Sequence, residues 1–150
     1  MNAASLVIAA AAVLVPALAA AGTVTKTVPF KLDAWIELGA QDGPVTLHRI
    51  RVASQSGPFT KSTVFRPGNS EFLATVQLQL EYTNTEKHDW QAAIEVTWVD
   101  EAGAAIDGYN GEEGLDGEEE RDKTTVTLST LKYGLERARK LKVRIEFDPD

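Results

Sequence analysis

Between Phe72 and Trp98 the chain alternates apolar and polar side chains in two long runs. Phe72, Ala74, Val76, Leu78, Leu80 and Tyr82 share one phase, and Thr75, Gln77, Gln79, Glu81 and Thr83 share the other. A period of two is the signature of a half-buried strand. Trp90, Ala92, Ile94, Val96 and Trp98 repeat the pattern against Gln91, Ala93, Glu95 and Thr97. The polar stretch Asn84 to Asp89 joins the runs, so together they predict a β-hairpin with one oily face that a second sheet must cover. Trp90 and Trp98 fall on that oily face and are expected in the core.

The flanking segments supply further strands. From Thr23 to Gly39, Val28, Phe30, Leu32, Ala34, Ile36 and Leu38 alternate with Lys31, Asp33, Trp35 and Glu37, as one long strand or two short ones. Pro29 cannot donate to a ladder and places an edge, or a passage from one sheet to the other, within this segment. A strand from Val45 to about Ala53 changes phase partway: Val45 and Leu47 are odd, Ile50 and Val52 even. A bulge near His48 and Arg49 would keep both pairs buried. Gly57-Pro58 and Pro67-Gly68 mark turns in a crossing connection that could hold a short strand at Thr63 to Phe65. Asp100 to Gly103 predicts a tight turn with a positive φ at the glycine. The weak alternation of Val126 and Leu128, a helical turn or irregular corner over Leu131 to Lys140, and a last strand carrying Leu141, Val143, Ile145 and Phe147 complete the pattern. About seven strands at this spacing predict an all-β fold, a single immunoglobulin-like antiparallel β-sandwich over residues 22–150.

The middle of the chain carries a resemblance. Leu80-Glu81-Tyr82-Thr83-Asn84, a short polar turn, Trp90, a second alternating strand and then Asp100-x-x-Gly103 resemble the small immunoglobulin-like modules of FxLYD type and telokin-like type found in secreted bacterial chains. The resemblance covers roughly residues 72–147 and implies an extracytoplasmic, non-catalytic module. The chain departs from it in lacking a lipobox Cys and in an acidic glycine-rich insert at 107–122.

Charge narrows the partners. The net charge is -7, and residues 100–122 hold ten acids against the single base Arg121. A phosphate backbone is held by clustered Lys and Arg on a basic surface, so nucleic acid is an unfavoured partner. There is no cysteine, which removes disulfides, thiolate metal sites and thiol catalysis. From Ala4 to Ala21 there is no charge, and Leu6 to Val15 is apolar up to the break at Pro16. Residues 1–21 therefore predict a secretory signal peptide, cleaved after Ala19 or Ala21, although no Lys or Arg precedes the apolar run. Its removal would leave no stable membrane span and a periplasmic or secreted protein.

Candidate chemistry is sparse. The stretch Asp107 to Glu120 is rich in glycine and carboxylates and is expected to be an exposed loop. As a solvated surface it binds nothing. As a calcium site, in a calcium-dependent and possibly carbohydrate-binding sandwich, it would use Asp107, Asn110, Glu112, Asp116 and Glu118, although it lacks EF-hand spacing. Arg137, Arg139, Lys140, Lys142 and Arg144 could pair with that loop, or form the wet face of an edge strand. His48 and His88 have no metal spacing, and no nucleophile elbow or phosphate-binding glycine motif is present, so no enzyme and no obligatory cofactor are expected. Trp35 is out of phase with the oily side. It is either covered by another segment or a surface contact for a protein or envelope component, the one candidate binding residue of a non-catalytic module.

Overall fold

A computed structural model describes residues 22–54 and 72–150; the predicted signal segment and the possible strand at 63–65 lie outside the described residues. Within them the alternating runs become β1 (Thr23–Pro29), β2 (Ile36–Asp42), β3 (Val45–Ser54), β4 (Leu73–Asn84), β5 (Trp90–Val99), β6 (Ala105–Leu115), β7 (Glu119–Leu131) and β8 (Lys140–Pro149), with one short helix, α1 (Lys132–Arg137), before the last strand. They form two antiparallel four-stranded sheets, ordered β1-β8-β5-β6 and β2-β3-β4-β7. The fold is an all-β sandwich.

The expected hairpin is instead an arch. β4 pairs with β3 and β7, β5 pairs with β6 and β8, and the two runs lie in opposite sheets. Their oily faces meet across the core: Val76, Leu78, Leu80 and Tyr82 of β4 and Trp90, Ala92, Ile94, Val96 and Trp98 of β5 are all buried. Each strand therefore helps to cover the other, and both tryptophans of β5 are core residues. Asn84 makes the arch possible. Fully buried at the end of β4, it donates through Nδ2 to the carbonyls of His88 and Leu115, and its Oδ1 accepts the Glu86 N–H. One amide thus satisfies three backbone groups that the sheet crossing leaves without ladder partners.

The crossing after Pro29 occurs as its chemistry predicts. β1 is an edge strand, and the chain then passes into the second sheet as β2. The phase change in β3 is a bulge: Leu47 pairs with Tyr82 and Arg49 with Glu81, leaving His48 as the extra residue. Leu47 and Ile50 are consequently both buried, while His48 and Arg49 both sit on the outer side. The turn at Asp100 closes with Gly103 N–H to the Asp100 carbonyl at 3.0 Å, and Gly103 takes φ +84°.

Segment 107–122 is not a loop. Residues 107–115 belong to β6, which pairs with β5 from Trp90↔Leu115 to Trp98↔Asp107, and Glu119 onward belongs to β7. Glycine and carboxylates are poor strand formers, but the inward residues of β5 require an edge neighbour, and tertiary pairing overrides local preference. Lys142 and Arg144 are exposed, as expected of a wet face, yet β8 is flanked by β1 and β5 and is not an edge. Among the described residues no helix is long and apolar enough to cross a membrane.

Candidate binding surface on the outer face of the second sheet

The connection between the sheets places Trp35. After β1, Phe30 N–H bonds the Arg139 carbonyl at 2.9 Å, and Asp33, at φ +62°, turns the chain. Asp33 N–H donates to the Val52 carbonyl at 2.9 Å, and its carboxylate accepts the Ser54 N–H at 2.7 Å and the Ser54 hydroxyl at 2.5 Å. Hydrogen bonds from the Ser54 hydroxyl and then from its N–H, with attraction from Arg51, hold this carboxyl below its usual range against some desolvation. The connection is thereby tied to the end of β3, and Trp35 lies half-buried beside the outer residues of that strand.

Three cations gather at the indole. The Arg49 guanidinium lies 4.5 Å from the ring centroid, Arg51 5.9 Å and the Lys123 ammonium 5.7 Å. Cations over an aromatic face contribute about 0.5–2 kcal/mol each, according to how dry the contact is. Trp35 is accordingly a surface aromatic held in place by charge, and not part of the oily layer.

Beneath this group sits Glu81, 3% exposed although it points away from the core. Arg49 Nη2 reaches its Oε2 at 2.7 Å and Arg121 Nη1 its Oε1 at 2.8 Å. The Arg49 hydrogen bond is the main cause, followed by the charge of Arg49 and the bond from Arg121, that keeps the carboxyl below its usual range despite desolvation. Arg121 adopts φ +52° at an irregularity in the β4–β7 ladder, and its N–H donates to Thr83 Oγ1 at 3.1 Å. Thr83 Oγ1 also shares a 2.7 Å hydrogen bond with His48 Nε2. The bulge in β3 and the irregularity in β7 thus turn extra polar residues outward on either side of β4. The face holds Arg49, Arg51, Arg121 and Lys123 against the buried carboxylate of Glu81 and the exposed one of Glu37, which lies opposite Arg49 on β2, in a chain whose net charge is -7. Only Arg49 and Arg121 of these four cations are ion-paired among the described residues.

The five residues considered for calcium are not brought together. Asp107 accepts the Thr130 hydroxyl at 2.5 Å and joins β6 to β7. Asn110 and Glu112 lie exposed further along β6, Asp116 follows the strand and gives its N–H to Tyr82 Oη, and Glu118 sits in the turn at φ +58°. At about 3.4 Å per residue, Asp107 and Glu112 are roughly 17 Å apart. Among the described residues no group of three or more Asp, Glu or His is placed to hold a metal ion.

Two acids of this stretch have structural work. Asp107 ties the sheets at one end of β6, and Glu113, which sequence pattern did not single out, ties them near the other, accepting from Tyr109 Oη at 3.0 Å and Thr124 Oγ1 at 3.0 Å. Glu81, His48, Arg49, Arg51, Arg121 and Lys123 were equally unmarked as a group. The available signals were the phase change at His48 and the out-of-phase Trp35, and only the strand order shows that they point to one surface.

No family model matches the chain, and no curated protein matches it. Among solved structures, it resembles the crystal structure of a DUF1425 family member from Shewanella sp. pv-4, at 14% identity and a TM-score of 0.35, over 77% of this chain and 85% of that one.

Proposed function

We infer that the protein is a non-catalytic binding module that acts outside the cytoplasm and holds its partner on the outer face of the β2-β3-β4-β7 sheet around Trp35. The observation that carries this reading is the fixation of Trp35 by Arg49, itself anchored on the buried Glu81. Side chains ordered before binding lose less conformational entropy when a partner arrives, so more of the contact energy appears as affinity. A half-buried surface aromatic flanked by arginine is also the composition of interface hot spots. Extracytoplasmic location rests on the apolar, uncharged segment at 4–21, as the resemblance to secreted modules also implies.

The test is site-specific photo-crosslinking in the producing cell. A photoreactive residue at Gln79, between β3 and β7 on this face, is expected to give a discrete adduct that Trp35→Ala abolishes. The same residue at Thr25, exposed on the opposite sheet, is expected to give none. No adduct from Gln79, or equal adducts from both faces, overturns the assignment.

A further inference from the structure

We propose that this face recognises an acidic, extended peptide segment of a partner protein, and that Arg51 and Lys123 supply the cations that bind it. The proposal rests on the reading of the Trp35 face as the binding surface and adds the chemistry of what is bound.

The four cations of the face divide into two kinds. Arg49 and Arg121 both bond the single carboxylate of Glu81, so each is held in place within the molecule and half of their combined charge is answered there. Arg51 and Lys123 have no ion-pair partner among the described residues, and both lie within 6 Å of the Trp35 centroid. Their charged groups are therefore no more than about 12 Å apart. Arg51 Nε and Arg49 Nε are moreover buried without an acceptor. Those two atoms are closed to a ligand arriving from solvent, but Arg51 as a whole is only half-buried, and a guanidinium presents a planar fork suited to a carboxylate. Cations thus outnumber the carboxylates of this surface, where Glu81 bonds Arg49 and Arg121, Glu37 lies opposite Arg49 and Asp33 attracts Arg51.

The shape of the surface favours a peptide. An extended chain shows alternate side chains on one face about 7 Å apart, so two acids in alternate positions reach Arg51 and Lys123 together, with their own methylenes against Trp35 and the residue between them turned to solvent. The neighbouring outer positions Gln77, Gln79, Thr125 and Thr127 are uncharged hydrogen-bonding groups, which tolerate the intervening residues without adding charge selectivity.

The experiment measures fluorescence anisotropy of a labelled peptide of alternating Glu and Thr against the intact protein, beside a peptide with Gln for Glu and beside labelled polygalacturonate. The acidic peptide is expected to bind with a strongly salt-dependent affinity, the Gln peptide not to bind, and Arg51→Gln with Lys123→Gln to weaken binding by about tenfold or more at a temperature where circular dichroism shows both proteins fully folded. Equal affinity of the double variant overturns the proposal, as does preference for polygalacturonate, which would make the ligand an acidic glycan. Absence of peptide binding while the Gln79 adduct forms overturns the acidic-peptide chemistry and leaves the binding surface standing. Absence of both removes the surface as well.

Discussion

Arg49 reaches Glu81 at 2.7 Å across the β3–β4 ladder because the bulge at His48 turns two consecutive residues of β3 to the outer side. Without the extra residue, strict alternation would send one of His48 and Arg49 toward the core. A feature that keeps Leu47 and Ile50 buried therefore also builds the charged face.

That dependence gives the first prediction. Glu81 is nearly inaccessible and accepts from two guanidinium groups, so Glu81→Gln leaves Arg49 and Arg121 facing a neutral amide. Breaking a buried pair costs about 3–5 kcal/mol, but Arg49 is 30% and Arg121 62% exposed and both can turn to water. The expected loss is about 1–3 kcal/mol, read by urea denaturation. An unchanged midpoint would mean that the pair contributes no net stability.

The pH dependence follows from groups at opposite ends of the scale. The carboxyls of Glu81 and Asp33 are held below their ordinary values, so their contribution is present above about pH 4.5 and is lost as pH falls through their lower folded-state values. Burial pushes the Tyr82 phenol up to about 12, helped by the nearby charges of Asp116 and Asp122 and opposed by the Asp116 N–H bond. A raised phenol contributes stability that is intact below pH 10 and lost as pH rises from 10 toward 12, by roughly 2–3 kcal/mol at the limit. Glu81→Gln should flatten the acid limb of a stability profile and Tyr82→Phe the alkaline limb. Unchanged limbs would assign the slopes to other groups.

The same residues show how far pattern reaches. The alternation at 72–82 and 90–98 reports which side chains face the core, Trp90 and Trp98 among them, but fails at its first position, since Phe72 precedes β4 and is 67% exposed. It does not report which strand lies alongside, because a hairpin and an arch bury the same residues; the choice depends on Asn84 satisfying backbone groups from three places. The bulge at His48 was legible because it breaks the phase. β6 was not, because Gly108, Gly111, Gly114 and the acids between them carry loop chemistry, and only pairing with β5 makes them a strand. Glu81 looked like any wet-face acid, since the phase of a residue says nothing of the arginines that neighbouring strands bring over it.

Gly117 tests how closely the two crossings pack. The turn between β6 and β7 lies against the arch between β4 and β5, with Gly117 N–H on Asp89 Oδ1 at 2.9 Å and Glu118 N–H on the Glu86 carbonyl at 2.6 Å. A Cβ at Gly117 would collide with the Lys87 backbone carbonyl, which a flexible side chain's movement cannot relieve. Gly117→Ala is expected to destabilise the domain by about 1–3 kcal/mol. Gly114→Ala on the outer side of β6 meets no atom and serves as the control. Equal melts of the two variants would show that the turn is free to move away from the arch.

Calcium distinguishes a strand from an ion-binding loop in the 107–122 stretch. A ligand bound only by the folded state at about 100 times its dissociation constant adds about 2.7 kcal/mol, enough to raise the melting temperature by several degrees in a domain of this size. Gathering Asp107, Asn110, Glu112, Asp116 and Glu118 around one ion would require β6 to leave β5 along most of its length and Asp107 to release Thr130. Those losses exceed what the ion returns, so melts with excess calcium and with chelator are expected to coincide, and Asp116→Asn with Glu118→Gln to change neither. A calcium-dependent rise abolished by that double substitution would mean that β6 peels from the sheet to form a binding loop, and hydrogen exchange across residues 107–115 would then accelerate when the metal is added.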